Sequence, residues 1–202
     1  MLEVAGEAFA THGFHAASMD AIAEAAGISK PMLYNYFGSK QGLYLAYVER
    51  SSHELMESMR GAASPDSPAD QRLHAGILAF LTYVDEHRSG WAVLRSEASA
   101  QGGQLAAEVA ALRERIAHML VRLFESEAFA HAFVGAGESL ARWWLEHPEE
   151  PKEQIAQQLM SIAAGALATG GRARGARGVR AVSGAGAPAR SARGVREGRV
   201  RR

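Results

Sequence analysis

The sequence predicts an all-α protein with an N-terminal three-helix domain of the helix-turn-helix type, a C-terminal helical bundle and a disordered Arg/Gly/Ala tail. Apolar residues recur at helical spacing from Leu2 to about residue 168, and the alternation typical of strands is almost absent. Glycine and proline interrupt this pattern, most clearly at residues 61–68. From Gly170 no apolar period remains, and such a segment buries too little surface to offset the entropy of ordering.

Composition narrows the classes of function. The chain has 202 residues, 48% of them apolar and 22% charged, which is typical of a soluble globular protein. The absence of cysteine excludes disulfides, cysteine nucleophiles and thiolate metal sites. No apolar run reaches the roughly 18 residues that a membrane span needs, and acids stand where a signal peptide carries positive charge. We therefore expect a cytoplasmic protein with no membrane partner.

The net charge of zero hides two opposite halves. Residues 1–169 carry 12 Lys and Arg against 21 Asp and Glu, whereas residues 170–202 carry ten Arg and one acid. The folded part as a whole repels phosphate, so nucleic-acid binding has to depend on local charge placement. The basic tail has three open interpretations: a nonspecific nucleic-acid tail, a solvated tail without a role, or translation past the ancestral stop or in a shifted frame.

Each helix has its own boundary signals. The first is predicted from Leu2 to His12, with Gly13 as C-cap. Serines cap the next three: Ser18 before a helix that ends at Gly27, Ser29 before a short helix with Pro31 in its first turn, and Ser39 before a helix to about Met59. After the loop at residues 61–68, further helices are predicted over about 70–87, 91–101, 104–125, 129–146 and 152–168.

The segment from Ser18 to Lys40 carries the clearest functional signal. Its two short helices meet at Ala26-Gly27-Ile28-Ser29, where Gly27 permits a tight turn. Such a pair is a helix-turn-helix unit, whose second helix fits a DNA major groove about 12 Å wide. That helix offers hydroxyls, an ammonium, an amide and an apolar contact. Lys40, at the start of the next helix, can pair with a phosphate.

Four stretches of the first 48 residues resemble the N-terminal signature of the TetR family of transcriptional regulators. They are FATHGF at 9–14, SMDAIA at 18–23, AGIS at 26–29 and LYNYFGSK at 33–40, in the family's order and spacing. The resemblance implies core roles for Ile22, Ala23, Leu33 and Phe37. Asp20 stands at a position near the DNA backbone, where an acid repels phosphate, so we expect it to cap its helix instead. The residues it implies to contact DNA are Ser18, Met19, Ser29, Lys30, Pro31, Met32, Tyr34, Tyr36 and Lys40.

The resemblance also implies that the C-terminal bundle encloses a ligand pocket. The candidate lining residues are Phe80, Tyr83, Trp91, Arg95, Met119, Phe124 and Trp143. Arg95 inside a pocket would favour an anionic or carbonyl-bearing ligand. The alternative is that these apolar faces are simply core, with Arg95 paired to Glu97 or Glu125 at the surface. The last two helices, within residues 129–168, are predicted to form a homodimer interface.

The predicted organisation is a DNA-binding domain at 1–48, a regulatory and dimerisation domain at 49–169 and a disordered tail at 170–202. The predicted function is a ligand-responsive repressor that binds a palindromic double-stranded operator as a dimer, with an unknown small-molecule effector and no cofactor. The alternative is a helical binding or structural protein of the same fold that lost operator binding, because the chain begins inside the first helix. No catalytic signature indicates an enzyme, and we expect no compact metal site among the eight histidines.

Overall fold

The structure is a computed structural model that describes residues 1–96 and 103–165, and every regular element in those two ranges is an α-helix. The all-α prediction is confirmed. No helix in them combines the length and the apolarity needed to cross a bilayer. The disordered tail predicted at residues 170–202 lies outside the described residues. The helices are α1 (Leu2–Ala16), α2 (Met19–Ala25), α3 (Lys30–Phe37), α4 (Lys40–Gly61), α5 (Ala69–Glu86), α6 (Arg88–Ser96), α7 (Gly103–Phe124), α8 (Glu127–Glu146) and α9 (residues 152–165).

Three serines start α2, α3 and α4, as the sequence predicted. The Oγ atoms of Ser18, Ser29 and Ser39 each accept from the backbone N–H three residues further on, at 3.5, 3.3 and 3.0 Å. Each cap satisfies a donor that the helix itself leaves unpaired, and such caps contribute about 1 kcal/mol each. They fix where α2, α3 and α4 begin. We call α3, the second helix of the helix-turn-helix unit, the recognition helix.

The first helix extends further than predicted. Gly13 has a φ of +73° and a ψ of 165°, so it bends the chain, but helical structure continues to Ala16. The extra turn is held by Phe14, whose ring lies 6.1 Å from that of Phe9 and 5.3 Å from that of Tyr44. Gly13 is therefore a kink within α1 and not its C-cap.

The start of α6 also differs from the prediction. The sequence predicted a helix from residue 91, but α6 begins at Arg88, with only His87 between it and the end of α5 at Glu86. Ring stacking of Tyr83 on His87, with centroids 4.5 Å apart, spans this short junction. The close succession of α5 and α6 sets the first turn of α6 against α4.

One continuous apolar core joins the first three helices to the rest of the chain. We call α1–α3 and the first three turns of α4 the head, and the remaining helical structure the body. The Tyr44 hydroxyl of the head donates to the carbonyl of Val93 in α6 at 3.2 Å. An ideal Cβ on Gly90 would lie 3.0 Å from the Tyr47 hydroxyl, so α6 packs on the head with no space to spare. Helix α6 and the head are therefore in direct and close contact.

Candidate nucleic-acid interface and ligand cavity

Helix α3 presents an apolar surface to solvent that folding alone does not require. Leu33 is fully buried and anchors the helix, whereas Met32, Tyr34 and Tyr36 are 45, 39 and 67% exposed. These are three of the six large hydrophobic residues that are exposed in the described part of the chain. An exposed cluster of this kind marks a contact surface. Lys30, Pro31 and Asn35 are exposed on the same helix.

The turn before α3 holds the recognition helix at a fixed angle to α2. Gly27 has a φ of +67°, a conformation that a residue with a Cβ adopts only under strain. The N–H of Ile28 donates to the carbonyl of Ala23 at 3.0 Å and closes the turn. Ser18 and Ser29 are exposed at the N-termini of α2 and α3, so both helix starts are accessible to a phosphate.

Lys30 and Asp20 form an ion pair across the two helices of the motif. Their Nζ and Oδ2 atoms are 2.9 Å apart, and both side chains are substantially exposed. The hydrogen bond and the charge of Asp20 raise the pKa of Lys30. Asp20 thus pairs with the recognition helix and does not cap α2, which is the role of Ser18. In the free protein this carboxylate partly neutralises the one cation of α3.

Lys40 is held by the head itself. Its Nζ donates to the carbonyls of His15 at 2.7 Å and Ala17 at 2.9 Å, and it lies 5.0 Å from the centre of the Phe14 ring. At most one of its three donors remains for a phosphate. Lys40 also satisfies carbonyls at the C-terminal end of α1, so the structure gives it a positioning role.

Met19 is the predicted DNA contact that the structure moves into the core. Its side chain is only 7% exposed, because the first turn of α2 faces the apolar interior of the head. We therefore correct the expectation for Met19. Ile22, Ala23 and Leu33 are buried as predicted, and Phe37 is half-buried.

A cavity of about 530 Å³ lies inside the body, and residues from α4 to α9 and from the loop after α4 line it. Phe80, Trp91 and Met119 line it as predicted. The indole N–H of Trp91 is buried and has no acceptor in the described part of the chain. An unpaired buried donor costs about 1–3 kcal/mol, which a ligand oxygen within reach would offset.

Three predicted lining residues do not reach the cavity. The Tyr83 hydroxyl donates to the Ser51 carbonyl at 3.0 Å on the side towards the head, and burial raises the pKa of this phenol. The Phe124 ring packs between Phe129 and Phe133, with centroids 4.9 and 5.2 Å away. The Trp143 ring stacks on His147 at the surface. The side chain of Arg95 lies outside the described residues.

The charged residues of the cavity wall were missed by sequence reasoning. In the described part of the chain, the wall contains four arginines and one glutamate: Arg60, Arg72, Arg113, Arg122 and Glu138. Arg113 donates two hydrogen bonds to Glu138, at 2.7 and 3.0 Å. These two residues are 25 positions apart, so no local pattern could have paired them. The one sequence feature that could have indicated charged wall residues was the position of Arg60 and Arg72 on either side of the loop at 61–68.

The last two helices expose two large hydrophobic residues. Trp143 in α8 is 40% exposed and Ile162 in α9 is 50% exposed. Small residues continue the exposed face of α8 at Ala132, Gly135 and Ser139. Small side chains let helices approach one another closely, so this face can pack against another helix pair.

Within residues 1–96 and 103–165, no three His, Asp or Glu side chains come together in a way that could hold a metal ion. The arrangement of the described residues instead consists of an exposed recognition helix, a cavity and a tight connection between them. That architecture is suited to binding at two separate places in one chain.

Comparisons with known proteins agree with this architecture. Residues 1–47 match the model of the bacterial regulatory proteins of the tetR family, and residues 69–165 match the tetracyclin repressor-like C-terminal domain. The chain is 31% identical over 156 residues to the HTH-type transcriptional activator FasR of Mycolicibacterium smegmatis, covering 73% of this chain and 71% of FasR.

Solved structures of other proteins share the helical fold of this chain. A TetR-like transcriptional regulator from Rhodococcus sp. RHA1 is 35% identical, with 83% of this chain and 93% of that one covered and a TM-score of 0.71. FadR from Bacillus subtilis, solved in complex with stearoyl-CoA, shares the fold at 14% identity, with 80% and 94% covered and a TM-score of 0.70. On the strength of both matched domains and these relatives, the chain belongs to the TetR family of DNA-binding transcriptional regulators, which are not enzymes.

Proposed function

We propose that this regulator is a ligand-responsive repressor that binds a palindromic operator as a homodimer in the cytoplasm. The observation that carries the proposal is the exposed surface of Met32, Tyr34 and Tyr36 on a helix whose start, turn and buried anchor are all fixed. In this proposal residues 1–48 bind DNA, and residues 49–169 bind the effector and dimerise.

The dimer forms through α8 and α9. Trp143 and Ile162 are the large exposed apolar residues of the described body, and both lie on these helices. A twofold contact between the two helix pairs gives a four-helix interface. It places the two recognition helices about one DNA turn, or roughly 34 Å, apart.

The effector acts through α4 and α6. Helix α4 begins at Lys40 beside the recognition helix, and its residues Leu55 and Met59 line the cavity. Helix α6 lines the cavity with Trp91 and Leu94 and contacts the head through Gly90 and Val93. A ligand that fits one arrangement of these helices better than the other shifts the spacing of the two heads and releases the operator.

Operator binding is tested with DNA from upstream of the protein's own gene. Tyr36→Ala is expected to weaken binding by about 10- to 100-fold, because a base-edge or phosphate contact contributes about 1–3 kcal/mol. Thermal stability should be unchanged, since this side chain is 67% exposed. Tyr36→Phe separates the hydroxyl from the ring. Binding is measured by gel shift. If the folded, dimeric wild type does not retard this DNA at low salt, DNA binding at this operator is refuted.

Asp20→Asn is expected to strengthen DNA binding severalfold, because it releases Lys30 from the ion pair. The plot of log affinity against log salt should become steeper by about 0.9, the value for one added phosphate contact. Fluorescence anisotropy across a salt series measures both. Glu24→Gln is the matched control, since Glu24 is an exposed acid on α2 with no ion pair among the described residues. Equal slopes for the two variants would contradict a role for the ion pair.

The second candidate function is a helical binding protein without an operator. It is favoured by the charge of the head, since residues 1–48 carry two lysines against four acids and both lysines have intramolecular partners. Ligand binding with no salt-dependent DNA binding would support this second function.

For the first function, a promoter reporter decides whether the protein represses or activates transcription. Deleting the gene raises expression from the bound promoter if the protein is a repressor and lowers it if it is an activator like FasR.

A further inference from the structure

We propose that the cavity binds an amphipathic anion, a molecule with one apolar chain and one carboxylate or phosphate end group. The inference rests on the proposed ligand-responsive function and adds the chemical class of the ligand. It follows from how charge is distributed around the cavity wall.

The interior of the cavity is apolar. Among the described residues, every lining residue apart from the four arginines and Glu138 is apolar or glycine, and the aromatic rings of Phe80, Trp91 and Phe133 belong to this set. None of these described lining residues is Ser, Thr, Asn or Gln, and the indole N–H of Trp91 is their unpaired uncharged donor. The part of a ligand that lies against these residues is therefore mainly a hydrocarbon chain or a similarly apolar group, with the Trp91 N–H as a donor for one acceptor atom.

The opening of the cavity is basic. Arg60, Arg72 and Arg122 line the cavity and are exposed to solvent, so they lie where it opens. They come from the end of α4, the start of α5 and the end of α7. Glu138, the one acid among the described lining residues, is already paired with Arg113. The opening therefore carries three positive charges that no carboxylate among the described wall residues balances.

These three guanidinium groups retain donors for a ligand. Arg122 has no hydrogen bond or ion pair within the described residues, and Arg72 donates one hydrogen bond to the carbonyl of Pro65 at 3.2 Å. Among the described residues, Arg60 pairs with Glu57 alone, which is three residues away on the exposed side of α4. Each guanidinium has five N–H donors in a geometry that suits carboxylate and phosphate oxygens. Such a basic opening is unusual for residues 1–169, which carry 12 basic and 21 acidic side chains.

The test is calorimetric titration of the purified dimer with three matched probes below their micelle concentrations. The probes are dodecanoate, dodecyl phosphate and dodecyltrimethylammonium. At least one anion should bind about tenfold or more tightly than the cation, because the guanidinium groups attract one and repel the other. Comparison of the two anions separates a carboxylate from a phosphate end group. Equal affinity for anion and cation would overturn the proposal.

Two variants test separately how the end group and the apolar chain of the ligand contribute to binding. Arg122→Gln removes a cation with no hydrogen-bond or ion-pair partner among the described residues and should weaken binding of both anions by about threefold to tenfold without weakening binding of the cation. Arg115→Gln, an exposed arginine of the same helix outside the cavity wall, should change nothing. Gly76→Leu should weaken all three probes, since Gly76 lines the cavity and has open space at its Cβ position. Anion binding that Gly76→Leu leaves unchanged would place the ligand elsewhere and overturn the proposal.

The failure of this inference is distinguishable from failure of the proposed function. Ligand titrations are made without DNA, and operator binding is measured without ligand. Operator binding with no preference for anions refutes the ligand class and leaves the regulator intact. Anion binding with no operator binding refutes the repressor and leaves the ligand class intact.

Discussion

Gly42→Ala is expected to abolish specific DNA binding and to destabilise the head. An ideal Cβ on Gly42 would overlap the backbone carbonyl oxygen of Phe37, the last residue of the recognition helix. A clash with backbone cannot be relieved by a change of rotamer, so α3 and α4 have to move apart. Overpacking of this kind costs about 1–3 kcal/mol. It also displaces Tyr34 and Tyr36 from the positions in which we propose that they contact DNA.

Operator anisotropy and thermal melting measure the two effects of Gly42→Ala. The matched control is Gly61→Ala at the other end of the same helix, where no atom lies within 4 Å of the ideal Cβ position. Gly61→Ala should keep the wild-type operator affinity and melting temperature. Wild-type operator affinity in the folded Gly42→Ala variant would show that α3 does not depend on this close approach.

Ile162→Glu is expected to convert the protein into monomers and to weaken operator binding by about 10²- to 10⁴-fold, because the second head no longer binds at high effective concentration. Ile162 is 50% exposed in one chain, so the substitution leaves the fold of that chain intact. In the dimer the same carboxylate would be buried without a partner. Analytical ultracentrifugation measures the association state, and anisotropy on whole and half operators measures affinity.

Gln157→Glu is the control for the added charge. Gln157 is exposed on α9, about 140° around the helix axis from Ile162, so it adds the same charge on another face. This variant should remain dimeric and bind the whole operator like the wild type. A dimeric Ile162→Glu variant would place the interface outside α8 and α9.

The local structure of the head could be predicted because its signals are local. The three capping serines act on N–H groups only three residues away, so the sequence pattern determines where α2, α3 and α4 begin. The exception is Gly13, where the usual meaning of a glycine after a helical run failed. Packing of Phe14 on Tyr44, 30 residues further along the chain, restored a helical turn that local propensity does not predict.

The cavity could be predicted only in outline because its wall is assembled from distant segments. Helical periodicity identifies the buried faces of α5, α7 and α8, but it does not tell which buried residue meets a void and which meets another helix. Phe80 and Phe124 are both buried aromatics, yet only Phe80 lines the cavity. The Arg113–Glu138 pair joins α7 to α8 through a crossing that the sequence pattern does not specify.

The cavity residues of α6 and the arginines at the opening of the cavity differ in how freely they could change during evolution. Trp91 and Leu94 share a short helix with Gly90 and Val93, which contact Tyr47 and Tyr44 of the head. In the proposed mechanism, a substitution at α6 that fits a new effector shape would therefore alter the strength of the response at the same time. Arg60, Arg72 and Arg122 have no hydrogen-bond or ion-pair partner in the head. Substitution of these arginines would change the proposed end-group preference while leaving the contacts of α6 with the head intact.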